Sequence, residues 1–141
     1  MLDMTMSREA KVMAGITLLL VPTIMYGGWR LLGILTQGTV GAAAGGLKLS
    51  ETQWALWRAG HAHAGVWTVL AIPLQVLLDS TRLSPAVTWL ARICAPLSAV
   101  ALSAGFFGLA FSSSFQALLY LGICTLPIAL ITTAVGLLRS R

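Results

Sequence analysis

Four long runs of apolar residues follow one another along the chain, at residues 11–36, 54–78, 85–111 and 115–138. A helix needs about 20 mainly apolar residues to cross the hydrocarbon core of a bilayer, and each run supplies them. Strands of a membrane barrel would alternate apolar and polar residues, and these runs do not. The pattern therefore predicts an all-α membrane protein with four transmembrane helices.

Polar residues mark where the predicted helices begin. Ser50 precedes the second run and Gln53 follows three residues later, which is the spacing of a capping box. Ser84 and Pro85 fit the N-cap and the first helical position of the third helix. One of the serines at 112–114 is expected to cap the fourth helix.

The connections between the runs are short except for the first, a Gly/Ala-rich connector at residues 38–46. Short turns at residues 79–82 and 112–114 make successive helices antiparallel neighbours. One proline lies inside each run and tends to kink its helix. These prolines are Pro22, Pro73, Pro96 and Pro127. We expect one domain over residues 1–141, an up-down arc or bundle of helices.

Composition and charge place this domain in lipid. Charged residues make up 9% of the chain and hydrophobic residues 57%, whereas a soluble domain carries about 25% charged residues. The net charge of +5 does not indicate a nucleic-acid partner, because the basic residues flank the predicted helices. Those on one side of the membrane are Arg8, Lys11, Arg82, Arg92, Arg139 and Arg141.

This charge bias also predicts the orientation. Lys48 lies alone in the opposite loops, and the positive-inside rule makes the more basic side cytoplasmic. Both termini are then cytoplasmic. Together with the lack of a recognisable targeting peptide in the sequence, the bias favours a multi-pass protein of the bacterial plasma membrane.

Both histidines of the chain lie in residues 58–67, Arg-Ala-Gly-His-Ala-His-Ala-Gly-Val-Trp, on the second helix. His61 is about 16 Å along this helix from the Ser50 cap, inside the hydrocarbon. Ionisable residues at that depth are costly and are functional-site candidates. The alternative is that His61 and His63 only make hydrogen bonds between helices.

The spacing of the histidines limits what they bind. Residues i and i+2 differ by about 200° around a helix, so His61 and His63 point to opposite sides and do not share one metal ion. A zinc site needs three or four converging ligands, whereas haem iron needs one or two axial imidazoles. The small neighbours Gly60, Ala62, Ala64 and Gly65 leave space for a large flat group. We therefore expect haem, of the b type, with His61 and His63 as metal ligands.

Two arginines extend this prediction. Arg58 precedes His61 by three residues on the same face, and Arg30 lies at a similar depth near the outer end of the first helix. Their guanidinium groups suit the carboxylates of haem propionates. Alternatively, Arg30 and Arg58 extend to lipid headgroups.

The segment His61-Ala62-His63, followed by an apolar helix, resembles the His-x-His of the tenth helix in the catalytic subunit of haem-copper oxidases. Ala62-His63-Ala64, with Pro73 further on, is also similar to the second helix of that subunit, which carries a haem-ligating histidine. In that family twelve helices form three arcs of four, and both helices are second in their arc. This chain resembles one such arc in helix number, orientation and histidine position.

The resemblance implies that three copies form a ring, with His61 facing one neighbour and His63 the other. Each haem between subunits then takes one histidine from each copy, and the low-spin iron suits electron transfer, with a quinol or another redox partner as donor. A dimer with haem between two copies of the second helix would use the same residues. If the chain is an enzyme, the resemblance implies a haem-dependent oxidoreductase.

The chain also departs from that family. It has no further histidines for a copper site, no placeable tyrosine partner for that copper, and its carboxylates Glu51 and Asp79 fall at helix ends. Oxygen reduction with proton pumping is therefore not expected. Two other interpretations stay open: a non-catalytic accessory or scaffold subunit with structural histidines, and a small metal or solute permease, for which the third and fourth helices offer few polar groups.

Overall fold

Four long helices make up the computed structural model, which describes residues 6–41 and 47–140. They are α1 Arg8–Leu35, α2 Glu51–Asp79, α3 Pro85–Leu109 and α4 Gln116–Arg139, with a short 3₁₀ helix at Ser113–Phe115 before α4. Each long helix is apolar enough to cross a membrane, and the described residues form no strand. The prediction of an all-α membrane protein with four spanning helices is confirmed.

The start of α2 is the capping box that the sequence predicts. The Ser50 hydroxyl accepts the Gln53 N–H at 3.3 Å, and the Gln53 side chain accepts the Ser50 N–H at 2.9 Å. At α3, Ser84 holds the N-cap position and Pro85 the first helical position, but the Ser84 side chain makes no capping bond.

The serine cap predicted for α4 serves the 3₁₀ helix instead. Ser112 accepts the Ser114 N–H at 3.2 Å, and Phe115 occupies the N-cap position of α4 without a side-chain bond. The Phe115 ring packs on the α3 backbone at Gly108, so closely that a methyl group there would clash. Ring packing, rather than a hydroxyl cap, therefore fixes the start of α4.

The helices form an arc in which each packs against the next along the chain. α1 touches α3 at only a few positions, and α1 and α4 do not touch within the described part of the chain. α3 and α4 approach most closely, because a Cβ at Gly105 would lie 2.7 Å from the Leu119 nitrogen and one at Gly122 would lie 2.7 Å from the Leu102 nitrogen. Such small residues let membrane helices pack backbone to backbone.

A buried polar network joins α1, α2 and α3 at the end of the arc that carries both termini. Arg92 is only 4% exposed. Its guanidinium pairs with Asp79 and donates to the Gln75 carbonyl at 3.0 Å. The Gln75 side chain in turn donates a hydrogen bond from Nε2 to the Arg92 carbonyl oxygen at 3.1 Å. Ser7, the N-cap of α1, donates its N–H at 2.8 Å and its hydroxyl at 2.7 Å to Asp79.

This network corrects the role that the sequence analysis gave to Arg92. The sequence analysis places Arg92 among the basic residues that flank the spanning helices, but it lies two turns inside α3 and is buried. A charge in that position needs a counter-charge and further hydrogen bonds to offset its desolvation, and the end of α2 supplies them. Arg92 thus anchors three helices to one another.

We expect Asp79→Asn to lower the stability of the fold by about 3 kcal/mol, because it leaves Arg92 buried without a counter-charge. The double variant Asp79→Asn/Arg92→Gln should recover part of this loss, since no uncompensated charge remains. Thermal unfolding in detergent measures both. Glu9→Gln, which removes an exposed acid at the same end, should change little. If Asp79→Asn and Glu9→Gln lowered the stability equally, the role of the network would be contradicted.

Candidate functional site

The two histidines flank the stripe of α2 that packs against α3. Gly60 and Ala64 are buried in this stripe, and a Cβ at Gly60 would lie 3.1 Å from the Phe107 ring and 3.2 Å from the Phe106 Cβ. His61 and His63 project on either side of it. As their spacing predicts, they face opposite sides of α2, and both are half-buried.

His61 lies toward α1. Its Cε1 and Nε2 atoms would be only 2.9 Å from a Cβ at Gly28, so the absence of a side chain at Gly28 makes room for the imidazole. His61 makes no hydrogen bond with the described residues. It lines two cavities, one on each side of its ring. Its ring is therefore positioned by packing, and neither nitrogen has a hydrogen-bond partner among the described residues.

His63 lies beside α3, and its orientation is fixed. Its Nδ1 is 2.7 Å from the Ala59 carbonyl oxygen, and its ring packs on Phe106 with 4.8 Å between the ring centroids. A carbonyl oxygen only accepts, so Nδ1 carries the hydrogen, and the neutral imidazole keeps a free electron pair on Nε2. Metal-ligating histidines are commonly oriented by this kind of bond from the other ring nitrogen.

The larger cavity beside His61 lies between α1 and α3, with α2 as its floor. It measures about 310 Å³ and is mostly apolar, in the range of small-molecule sites. Its lining includes Gly27 from α1, Thr68 from α2, and Ser103 and Phe107 from α3. A second cavity of about 180 Å³ on the other side of His61 lies between α1 and α2.

Thr68 adds an unsatisfied hydroxyl to this site. It is 2% exposed, it lines both cavities, and it makes no hydrogen bond with the described residues. The buried threonines Thr17, Thr125 and Thr133 each donate to a carbonyl of their own helix. Sequence reasoning missed Thr68, although it follows His61 by seven residues and so lies on the same face of α2.

Trp57 is a second residue that the sequence analysis does not single out. Its ring packs edge-on against Phe107 and Phe111, with centroid distances of 5.7 and 5.8 Å. Its Nε1 is buried without a hydrogen-bond acceptor in the described structure. Because Trp57 precedes His61 by four residues, this orphaned donor lies one turn outward from the imidazole.

The two predicted arginines lie at the outer end of the site. Arg58 precedes His61 by one turn on α2, and Arg30 follows Gly27, a cavity residue, by three residues on α1. Both are exposed. They continue the cavity-lining faces of their helices toward the end of the arc opposite the termini, and Arg30 already takes part in an interaction.

The ligands that α2 offers to a metal are single imidazoles on separate sides of the helix, and a haem iron needs only one or two such ligands. In residues 6–41 and 47–140, no three histidine, cysteine or acidic side chains converge where they could hold an ion. His63 has a free Nε2, His61 borders two cavities, and Trp57 and Thr68 leave polar atoms unpaired. As it lies, the His61 Nε2 faces α1 at Gly28, so a ligand at that atom requires the ring to turn toward a cavity.

No protein-family model, curated protein sequence or solved structure matches this chain. The link to haem-copper oxidases therefore stays a resemblance in the histidine segment and in the helix arrangement. Its support has to come from the geometry of the site itself.

Because the Thr68 hydroxyl has no partner, we expect Thr68→Val to leave the unfolding temperature unchanged or slightly raised. Thr133→Val is the matched control. Thr133 is equally buried, at 2% exposure, but it bonds the Ala129 carbonyl at 2.7 Å, so this variant should lose about 1 kcal/mol. Thermal unfolding in detergent compares them. A larger loss at Thr68 would show that its hydroxyl is satisfied after all.

Proposed function

We propose that this chain is the subunit of an oligomeric membrane haem protein that transfers electrons. His61 of one copy and His63 of the next are the proposed axial ligands. The observation that carries the proposal is the state of His63, whose Nδ1–H is held by the Ala59 carbonyl at 2.7 Å and whose Nε2 is free to bind a metal. A bound haem would supply an iron that accepts and releases single electrons.

Sharing of the haem between copies follows from the two histidine directions. His61 faces α1 and His63 faces the α3 side, so one chain does not bring both imidazoles to a single iron. If copies meet head to tail, the α1 side of one faces the α3 side of the next, and such contacts close into a ring. α1 suits this arrangement because only 11% of its spanning window is buried within the chain. We favour a trimer on the resemblance to three oxidase arcs.

The polar residues around His61 suit the edge of a haem that carries carboxylates. Arg58 and Arg30 lie outward of the cavity, and Trp57, whose Nε1–H has no described acceptor, adjoins Arg58 in the same turn of α2. Guanidinium groups bind carboxylates strongly because the bonds are charge-assisted and bidentate. In the proposal these three side chains orient the group, and the apolar cavity walls exclude water.

The proposed donor is a quinol or another redox partner, and both termini are proposed to lie on the cytoplasmic side of a bacterial plasma membrane. The concentration of basic residues at one end supports this orientation. A scaffold role explains the His63 contacts equally well, since a histidine that only packs also bonds its own helix. It does not explain why the His61 imidazole and the Thr68 hydroxyl both lack a described partner beside the same two cavities.

The first test is a reduced-minus-oxidised absorption spectrum of the protein purified from cells supplied with haem, with pyridine extraction to count haem per chain. We expect sharp low-spin bands at about one haem per chain, because each copy supplies one ligand to each of two shared sites. His61→Ala and His63→Ala should each abolish these bands. Gln116→Ala, an exposed polar position on α4, should keep them. A colourless protein would contradict the haem proposal and favour the scaffold role.

A second test uses Gly28, the glycine of α1 against which the His61 ring packs. In Gly28→Ala the new methyl group would lie 2.9 Å from the imidazole, so the ring must move. The methyl group disfavours only the ring position of the haem-free protein, from which the ring turns away on ligation. We therefore expect shifted absorption bands and up to about tenfold tighter haem retention, since 1.4 kcal/mol is tenfold in affinity. Gly15→Ala in the same helix, where nothing lies within 4 Å, should leave spectrum and retention unchanged. If Gly28→Ala and Gly15→Ala gave the same spectrum and the same haem retention, His61 would not be a haem ligand.

A further inference from the structure

A separate cavity lies at the end of the arc that carries both termini, between the start of α3 and the end of α4. It measures about 460 Å³. Its mouth holds Arg82 and Arg139, and its lining continues along both helices. The remaining lining residues are Leu83, Ser84, Val87, Ile131, Thr132, Val135 and Gly136.

The walls of this cavity are held in place by specific contacts. The α2–α3 turn packs directly on α4, because a Cβ at Gly136 would lie 2.8 Å from both Leu83 and Thr81. The backbone N–H of Arg82 also donates a hydrogen bond to the Ser140 hydroxyl at 3.1 Å. The turn and the end of α4 thus form one unit, and the two arginines are kept at the same mouth.

The mouth is positively charged. Arg82 and Arg139 are exposed, and neither forms an ion pair within the described residues. The start of α3 adds to this potential, because the Ser84 side chain makes no capping bond and the first N–H groups of a helix favour anions. An anion at this mouth would meet two guanidinium groups and the helix N-terminus together.

The interior of the cavity has the opposite character. Ile131 lies about 12 Å deeper along α4 than Arg139, and Val87 and Val135 line the same space. Val135 and Ile131 lie one and two turns inward from Arg139 along α4. A ligand that fills the cavity therefore needs an anionic head and an apolar tail.

We propose that this cavity binds an anionic phospholipid, with its phosphate on Arg82 and Arg139 and an acyl chain along Val87, Ile131 and Val135. Basic pockets between membrane helices bind such headgroups. A free phosphate ion would use only the mouth and leave the apolar depth unfilled. This site lies at the opposite end of the arc from Arg30 and Arg58, and it does not depend on the proposed haem.

The experiment measures lipid binding by native mass spectrometry and lipid-dependent thermal stability in detergent. The probes are phosphatidylglycerol, phosphatidylcholine and inorganic phosphate. We expect phosphatidylglycerol to bind and stabilise the protein, and phosphatidylcholine and phosphate to do so weakly. Arg82→Gln/Arg139→Gln should weaken phosphatidylglycerol binding by roughly 30-fold, from the usual contribution of two basic residues at a membrane surface.

Two further variants separate this site from general attraction. Arg8→Gln/Lys11→Gln removes the same charge from exposed positions of α1 at the same end and should keep the binding. Val135→Phe keeps both arginines, narrows the apolar part of the cavity and should weaken binding of the acyl chain. If Arg8→Gln/Lys11→Gln weakened phosphatidylglycerol binding as much as Arg82→Gln/Arg139→Gln does, the lipid would be held by surface attraction only, and the proposal would be overturned. Equal stabilisation by phosphate, with no effect of Val135→Phe, would overturn it in favour of a simple anion site.

Discussion

Lipid offers no hydrogen bonds, so every polar group inside this arc needs a partner within the protein or within something that the protein binds. Most of the described polar side chains obey this constraint. Arg92 is buried at 4% exposure, yet Asp79, Gln75 and Ser7 satisfy it. Because these partners come from α2 and from the N-cap of α1, while Arg92 lies on α3, satisfying one charge also fixes how the three helices meet.

The same constraint identifies the exceptions. His61, Thr68 and the Nε1 of Trp57 have no hydrogen-bond partner among the described residues, and all three lie on one side of α2. Two cavities meet at His61. These three groups stay unpaired although the protein satisfies the buried Arg92 fully elsewhere. His61 and Thr68 line a mostly apolar cavity, and the proposed cofactor would explain their position there.

Local patterns in the sequence predicted much of this structure. Apolar runs located four helices, the Ser50–Gln53 spacing located a capping box, and the spacing of His61 and His63 placed them on opposite sides of α2. Contacts between distant residues were not predictable in this way. The burial of Arg92 depends on Asp79 at the end of another helix, the start of α4 depends on Phe115 meeting Gly108, and the isolation of Thr68 depends on the gap between α1 and α3. Such features arise only when helices pack.

The central claim is that one haem is shared between His61 of one copy and His63 of the next. A mixed oligomer tests it directly: differently tagged His61→Ala and His63→Ala chains are co-expressed, purified through both tags, and their haem spectrum is recorded. Each homo-oligomer lacks a complete site, but a mixed one has an interface where both histidines are intact. The account predicts that low-spin haem bands return in the mixed oligomer. A mixed oligomer without these bands, beside a haem-containing wild type, would contradict sharing between copies.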